Sequence, residues 1–370
     1  MLNSTAPLML DDAAHAAWQV GIAVVGLGDW GPHLLRVLED NLDAHVRWIC
    51  DVDSSRLAKH RRRHQDARVT TRLDRILADP GVDAVVLATP VETHYELAMC
   101  VLDAGKHVFV ETPLAMSADL ADDLASVGRA HERIVMCGHT FLYSPAVRAV
   151  KRMIDAGTLG EIYCVSSTRV KLGLNKRAAS VIWDLGPHDF SILLYWLSEM
   201  PTSVRAVGRD SVVEGVADVA FVTMNFASGI VANIELSWLR PGSLSRTVVV
   251  GSERMAVYED RDWEPVRLFD CGVADRAREA FGEQDVVLRS GDIVSPSIES
   301  YEPLESQLGD FVEAIRAGGS MEYQTTLARS VVRIAEAADE SLRVGGSEVY
   351  TTTSGEVTAE LWSRQGLAAV

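Results

Sequence analysis

The sequence predicts an α/β Rossmann domain with a parallel sheet, followed by an α+β domain with a large open antiparallel sheet. Three observations carry this reading. Strand-like and helix-like segments alternate from Val20 to about residue 140, as parallel strands with crossover helices require. A glycine-rich hexamer, Gly26-Leu27-Gly28-Asp29-Trp30-Gly31, joins the first strand to the first helix. Beyond about residue 145 long strand-like segments take over, some with two-residue alternation. The expected domains are 19–140 and 141–350. Helices near 304–342 are expected to pack back on the first domain.

The elements follow in order. Residues 1–18 read as a leader that frays. A short apolar run at 21–25 stops at glycine. Residues 33–42 carry apolar side chains at helical spacing. Strands follow at 45–50 and at 84–88, the latter a continuous apolar run suited to burial on both faces. A helix at 93–104 is closed by Gly105, and a strand follows at 107–110. A helix at 120–131 and a strand at 134–137 complete the domain. Ser144-Pro145-Ala146 opens a helix running to about residue 156. Strands are then expected at 161–170, 203–208, 216–226, 229–238 and 246–250. Amphipathic helices are expected at 304–317 and 327–342. Residues 272–300 show weak patterning and read as a long irregular connection.

The composition narrows the function classes. The chain has 370 residues, 48% of them apolar and 24% charged, enough for a sizeable core. A formal charge of −17 repels phosphate backbones and anionic lipid heads, so neither nucleic acid nor a membrane surface is an expected partner. The cysteines Cys50, Cys100, Cys137, Cys164 and Cys271 are scattered, without a C-x-x-C pair. That pattern gives no zinc signature and fits reduced thiols in a cytoplasmic protein. The N-terminus lacks the basic and apolar regions of a signal peptide. No run approaches the ~18 apolar residues of a membrane span.

The hexamer gains meaning from its context. It follows an apolar strand and opens a helix, and Asp51 lies twenty residues past Gly31 at the end of the next strand. Gly26 permits the tight turn, Gly28 lets the backbone approach a pyrophosphate, and Gly31 allows close helix–strand packing. Asp29 and Trp30 belong to the same turn. The pyrophosphate sits at the positive end of the helix. A carboxylate at Asp51 accepts bonds from ribose hydroxyls and repels a 2′-phosphate, which favours NAD over NADP; Arg56 nearby softens that preference.

With these segments in view, the sequence resembles the Gfo/Idh/MocA family of sugar and polyol oxidoreductases from about residue 19 to 350. Ala88-Thr89-Pro90 with His94 is similar to the family's turn lining the nicotinamide side of the cofactor. Gly105 to Ala115, containing Glu111-Thr112-Pro113, is similar to a signature that normally reads Glu-Lys-Pro. Trp183-Asp184-Leu185-Gly186-Pro187-His188-Asp189 resembles an Asp-x-x-x-His active-site segment. Arg289 to Pro296 and Glu302-Pro303-Leu304 resemble a nucleotide-sugar subgroup. The resemblance implies NAD, with Thr89, Pro90, His94 and Glu111 on the cofactor. It also implies a sugar or nucleotide-sugar substrate oxidised or reduced at carbon 3. A PLP-dependent aminotransferase is then the partner that consumes the ketone.

Oxidising a secondary alcohol needs a base for the hydroxyl proton, and an imidazole with an ordinary pKa near ~6.5 suits His188 to that task. Asp184 lies four residues earlier and shares a face with His188 if the segment is helical, placing it to orient His188 or bind a hydroxyl. The alternative is an ordinary helix N-terminus, with Asp184 as its cap. Thr112 stands where the resemblance implies a lysine. Its hydroxyl donates a hydrogen bond but carries no charge. Three readings follow: His188 and Asp184 work alone, Lys171 or Lys176 reaches the site, or the chain is an inactive relative that supports a partner.

Other candidates remain two-sided. Arg169, Lys171, Lys176 and Arg177 form either a clamp for a diphosphate or a solvated loop. Trp183 is expected against the sugar or the nicotinamide. His139 and Tyr143, at the domain junction, either line the substrate pocket or are structural. The basic run at 59–64 reads as a helix end, too short for a nucleic-acid patch. An open sheet with one uncovered face predicts a homo-dimer or tetramer through the second domain.

Overall fold

A computed structural model describes residues 18–173, 180–277 and 284–351. The first domain contains β1 (Val20–Val25), α1 (Gly31–Asp40), β2 (Ala44–Cys50), α2 (Ser54–Arg61), β3 (Arg68–Thr70), α3 (Leu73–Leu77), β4 (Ala84–Leu87), α4 (His94–Asp103), β5 (His107–Val110), α5 (Ala118–Ala130) and β6 (Val135–Cys137). Its six strands are parallel, in the order β3-β2-β1-β4-β5-β6. The winding reverses between β1 and β4, which opens a crevice beyond the carboxyl ends of the strands. Every residue of β1 and β4 is buried, as the continuous apolar runs require.

The second domain follows α6 (Pro145–Asp155). Its elements are β7 (Ile162–Leu172), α7 (Val181–Leu197), β8 (Pro201–Arg209), β9 (Val219–Phe226), β10 (Val231–Ser237), β11 (Leu239–Gly251), β12 (Met255–Glu259), β13 (Val266–Ala277) and β14 (Gln284–Val294). Then come α8 (Pro303–Arg316), α9 (Glu322–Arg343) and the short β15 (Val349–Tyr350). Nine strands form one open sheet, ordered β14-β13-β12-β11-β7-β10-β9-β8-β15.

Two features differ from the sequence reading. The sheet is mixed, because β7 and β10 pair in parallel while its other neighbours are antiparallel. The expected irregular connection at 272–300 instead contains most of a long hairpin, β13 with β14. An outer pair of strands takes its order from the backbone ladder, which no apolar pattern in the sequence has to announce.

One face of the large sheet is covered. Ala206, Val222 and Ile234 point inward and are fully buried, while Val207, Phe221 and Val231 are exposed on the other face. Helix α7 is almost wholly buried, and its apolar packing outweighs the N–H lost at the internal Pro187. Helix α9 touches both domains. Thr325 donates to the Val135 carbonyl at 2.6 Å, Arg329 pairs with Asp122 of α5 at 2.6 Å, and Ser341 accepts from the Ala206 N–H at 2.9 Å. Among the described residues, no helix is long and apolar enough to cross a membrane, and no cluster of acids, histidines and cysteines is placed to hold a metal ion.

Candidate active site

A cavity of about 620 Å³ lies between the carboxyl ends of the parallel strands and the α7–β7 layer. Gly28, Asp29 and Trp30 form its inner edge. Local sterics dictate the turn that delivers them. Gly26 has φ +94°, and a Cβ there would lie 2.4 Å from the Ala88 carbonyl oxygen. A Cβ on Gly31 would lie 1.9 Å from the Gly26 oxygen. Only glycine fits either place. Helix α1 opens at Gly31 with no side-chain cap; Pro32 carries no N–H and the His33 N–H donates to the Trp30 carbonyl at 2.9 Å, so Gly31 is the first-turn donor placed to serve an anion.

Asp51 is buried and already engaged. Its Oδ2 accepts from the Leu27 N–H at 2.7 Å and its Oδ1 from the Asp53 N–H at 2.8 Å. The carboxylate therefore ties the glycine turn to the end of β2. Arg56 stands 3.6 Å from it and 3.7 Å from Asp53.

The turns after β4 and β5 build the next wall. Thr89, Pro90, His94, Glu111 and Thr112 all line the cavity. His94 is buried and bridges the two turns, with Nδ1 2.8 Å from the Pro113 carbonyl and Nε2 2.9 Å from that of Thr89. Glu111 accepts from the Thr112 N–H at 3.3 Å, while its Oε1 is shut from solvent without a partner. Burial pushes this carboxyl up to about 8, so it is largely protonated at neutral pH. Gly138 makes room for it: a Cβ there would lie 2.7 Å from Oε2.

The far wall comes from the second domain. The segment carrying Asp184 and His188 is helical, so both stand on one face of α7 and both line the cavity with Trp183. Asp184 Oδ2 accepts from Trp238 Nε1 at 2.8 Å and pairs with Lys171 Nζ at 2.9 Å. Nδ1 of His188 is buried without a partner. Orientation of His188 by a bond from Asp184 to Nδ1 is therefore not what the structure contains. Phe141 meets the imidazole edge-on at 5.2 Å, and the Arg169 guanidinium stacks 4.5 Å from the other side of the same contact chain, over the Phe141 ring. Burial first, and the Arg169 charge second, push His188 down to about 3, leaving it neutral. Trp183 is buried.

Several expected residues stand elsewhere. Tyr143 is fully buried in the core, accepting from Gln324 at 3.1 Å, and does not line the cavity. His139 is buried behind the wall with both ring nitrogens unpartnered, and burial holds it down to about 3. Within that turn Thr140, Phe141 and Ser144 face the cavity instead. Arg169 lines the cavity, but its charge is paired with the buried Asp189, which also accepts from Ser167 at 2.7 Å, and its Nη2 is buried without a partner. Lys176 and Arg177 lie outside the described residues. Ser243, Ser245, Asp260 and Arg261 complete the wall. Only strand pairing brings them there, and no local motif marks them.

Two family models match this architecture. Residues 20–139 match the GFO/IDH/MocA oxidoreductase family, NAD-binding Rossmann fold, and residues 147–257 match the GFO/IDH/MocA C-terminal domain.

The chain belongs to the Gfo/Idh/MocA family.

Its relatives within the Gfo/Idh/MocA family span several activities. It is 34% identical over 191 residues to scyllo-inositol 2-dehydrogenase (NAD(+)) of Bacillus subtilis, covering 48% of this chain and 55% of that protein. It is 30% identical over 190 residues to UDP-N-acetylglucosamine 3-dehydrogenase of Acidithiobacillus ferrooxidans, covering 51% and 56%. These matches thus span little more than half of each relative. The crystal structure of GenD2 from gentamicin A biosynthesis, in complex with NAD, superposes with a TM-score of 0.76 at 27% identity, covering 91% of this chain and 97% of that one. NAD is accordingly the cofactor of the Gfo/Idh/MocA Rossmann domain. The site fits it: two glycines that no Cβ could replace, and an uncapped helix start.

Proposed function

We propose that the protein is an NAD-dependent oxidoreductase that interconverts a secondary alcohol and a ketone on a sugar, with a nucleotide-linked hexose as substrate class. One observation carries the reading. A buried, neutral histidine on α7 lines the same cavity as the glycine turn of α1. When bound, NAD accepts or returns the hydride. Gly28 and the start of α1 hold its pyrophosphate, while Thr89, Pro90, His94 and Glu111 shape the wall expected beside the nicotinamide.

The chain's own groups handle the proton and the sugar. His188 accepts the hydroxyl proton in oxidation and returns it in reduction, a role worth about 10²–10⁴-fold in rate. Asp184, held by Trp238, and Thr112 are placed for substrate hydroxyls. Arg261 lines the cavity, has no ion pair among the described residues and suits a phosphate on the substrate. The 3-dehydrogenase relative supports a nucleotide sugar, oxidised at carbon 3 and passed to an aminotransferase. The exposed Val207, Phe221 and Val231 support assembly with a second copy through the open sheet.

A second reading, a catalytically silent partner protein, is favoured by the uncharged Thr112. A spectrophotometric screen separates the two. The protein and NAD are mixed with UDP- and dTDP-hexoses, inositols and free sugars, with an aminotransferase to draw off ketone. Sustained NADH formation that His188→Ala abolishes is the expected result. Silence with NAD binding intact selects the partner role.

A further inference from the structure

Strand β7 and helix α7 are joined by two ion-pair rungs. Arg169 pairs with Asp189, and Lys171 pairs with Asp184. Arg169 and Lys171 lie two apart on one face of the strand, whereas Asp184 and Asp189 lie five apart on the helix, about 140° apart around its axis. Their settings differ. The side chains of Arg169 and Asp189 are 9% and 2% exposed, whereas those of Lys171 and Asp184 are 40% and 14% exposed. The first rung is sealed, and the second opens on the cavity.

An ammonium group carries three N–H donors. Asp184 is the only ionic partner of Lys171 among the described residues, which leaves donors for a ligand in the cavity. Among the described residues of that wall, the cation without an ion pair is Arg261, assigned above to a substrate phosphate. Thr112 has a neutral hydroxyl, Glu111 is a largely protonated acid, and the Arg169 charge is committed to Asp189. Yet His188 is a weak base in this setting, held down by burial first, then by the Arg169 charge, with Lys171 adding a smaller push. A weak base takes a hydroxyl proton only where the oxygen left behind is stabilised as its charge grows.

We propose that Lys171 is a catalytic residue, whose ammonium donates a hydrogen bond to the reacting oxygen while Asp184 holds it in place. This rests on the oxidoreductase reading above. In oxidation the O–H bond breaks and its proton goes to His188. The C–H bond breaks with its electron pair leaving as hydride to NAD, and the C=O bond forms. Lys171 stays protonated throughout and stabilises negative charge on the oxygen between hydroxyl and carbonyl. Reduction runs the same steps in reverse.

The test uses the full chain with NAD and the best substrate found in the screen. Lys171→Ala is expected to lower kcat by about 10²–10³-fold with a smaller change in KM. NAD binding, followed by fluorescence, stays within about threefold of wild type. Ethylammonium added to Lys171→Ala restores part of the lost rate, and adds nothing to His188→Ala. Lys171→Arg, which keeps the charge, retains more activity than Lys171→Ala. Removing the neighbouring cation also lets the His188 pKa rise, so the acid limb of the kcat/KM profile moves to higher pH. Near-wild-type kcat in Lys171→Ala, or a pure KM effect without amine rescue, overturns the assignment and leaves the oxidoreductase reading standing. A wild-type protein that forms no NADH with any sugar overturns both.

Discussion

Nε1 of Trp238, just past the end of β10, donates to Oδ2 of Asp184 in the first turn of α7 at 2.8 Å. The bond fixes the carboxylate that also holds Lys171. Trp238→Phe keeps most of the packing and removes this single donor. A hydrogen bond to a charged group contributes about 1.5–3 kcal/mol, so urea denaturation should show a loss in that range. Turnover should fall as well, while NAD affinity holds. A fall in stability with unchanged turnover would show that the bond serves the fold alone.

The sealed rung predicts a larger effect. Asp189→Asn leaves the Arg169 guanidinium buried without its counter-charge. Breaking a buried pair in this way costs about 3–5 kcal/mol. Chemical denaturation should place Asp189→Asn far below Lys171→Ala in stability, although the two lysine and arginine rungs look alike in sequence.

Glu111 predicts a pH dependence of stability. Its carboxyl is raised from 4.5 to about 8 in the folded chain. Below the unfolded value both states hold the proton. Between the two values only the folded state holds it, so stability falls as pH rises, and the loss levels off above about 8. Glu111→Gln keeps the uncharged shape and removes the slope. Melting temperatures from about pH 5 to about pH 9 should decline more steeply in wild type than in the variant. Parallel curves would count against a proton on Glu111.

Asp51 predicts cofactor choice. Asp51→Ser removes the charge that disfavours a 2′-phosphate, with Arg56 nearby to receive one. Fluorescence titration should show the NAD-to-NADP preference falling by at least about tenfold. An unchanged ratio, with a lower melting temperature, would assign Asp51 to the glycine turn alone.

The sequence made different parts of the molecule legible to different depths. The glycine turn was readable because its constraint is local: Gly26 and Gly31 are dictated by backbone atoms a few residues or one strand away. Asp184 and His188 were readable as a pair because helical spacing puts them on one face. What Asp184 binds was not, since Trp238 and Lys171 reach it from separate strands. Tyr143 stayed two-sided because side-chain directions within the short Thr140–Tyr143 turn depend on dihedrals that composition does not reveal. The β13–β14 pairing was missed because its backbone ladder leaves no periodic apolar pattern in the sequence of 272–300. The parallel pairing of β7 with β10 is a property of topology, invisible in either strand alone.

Helix α9 has a consequence for how the chain is made. Its Thr325 and Arg329 complete the first domain, at β6 and α5, yet they emerge from the ribosome only after eight of the nine strands of the second sheet. A nascent chain that has finished β6 therefore carries an unfinished Rossmann layer throughout the synthesis of the rest. Folding that begins at the N-terminus must wait there. Order of synthesis and order of completion part company in this protein, and a premature stop anywhere before α9 leaves both domains without their common support.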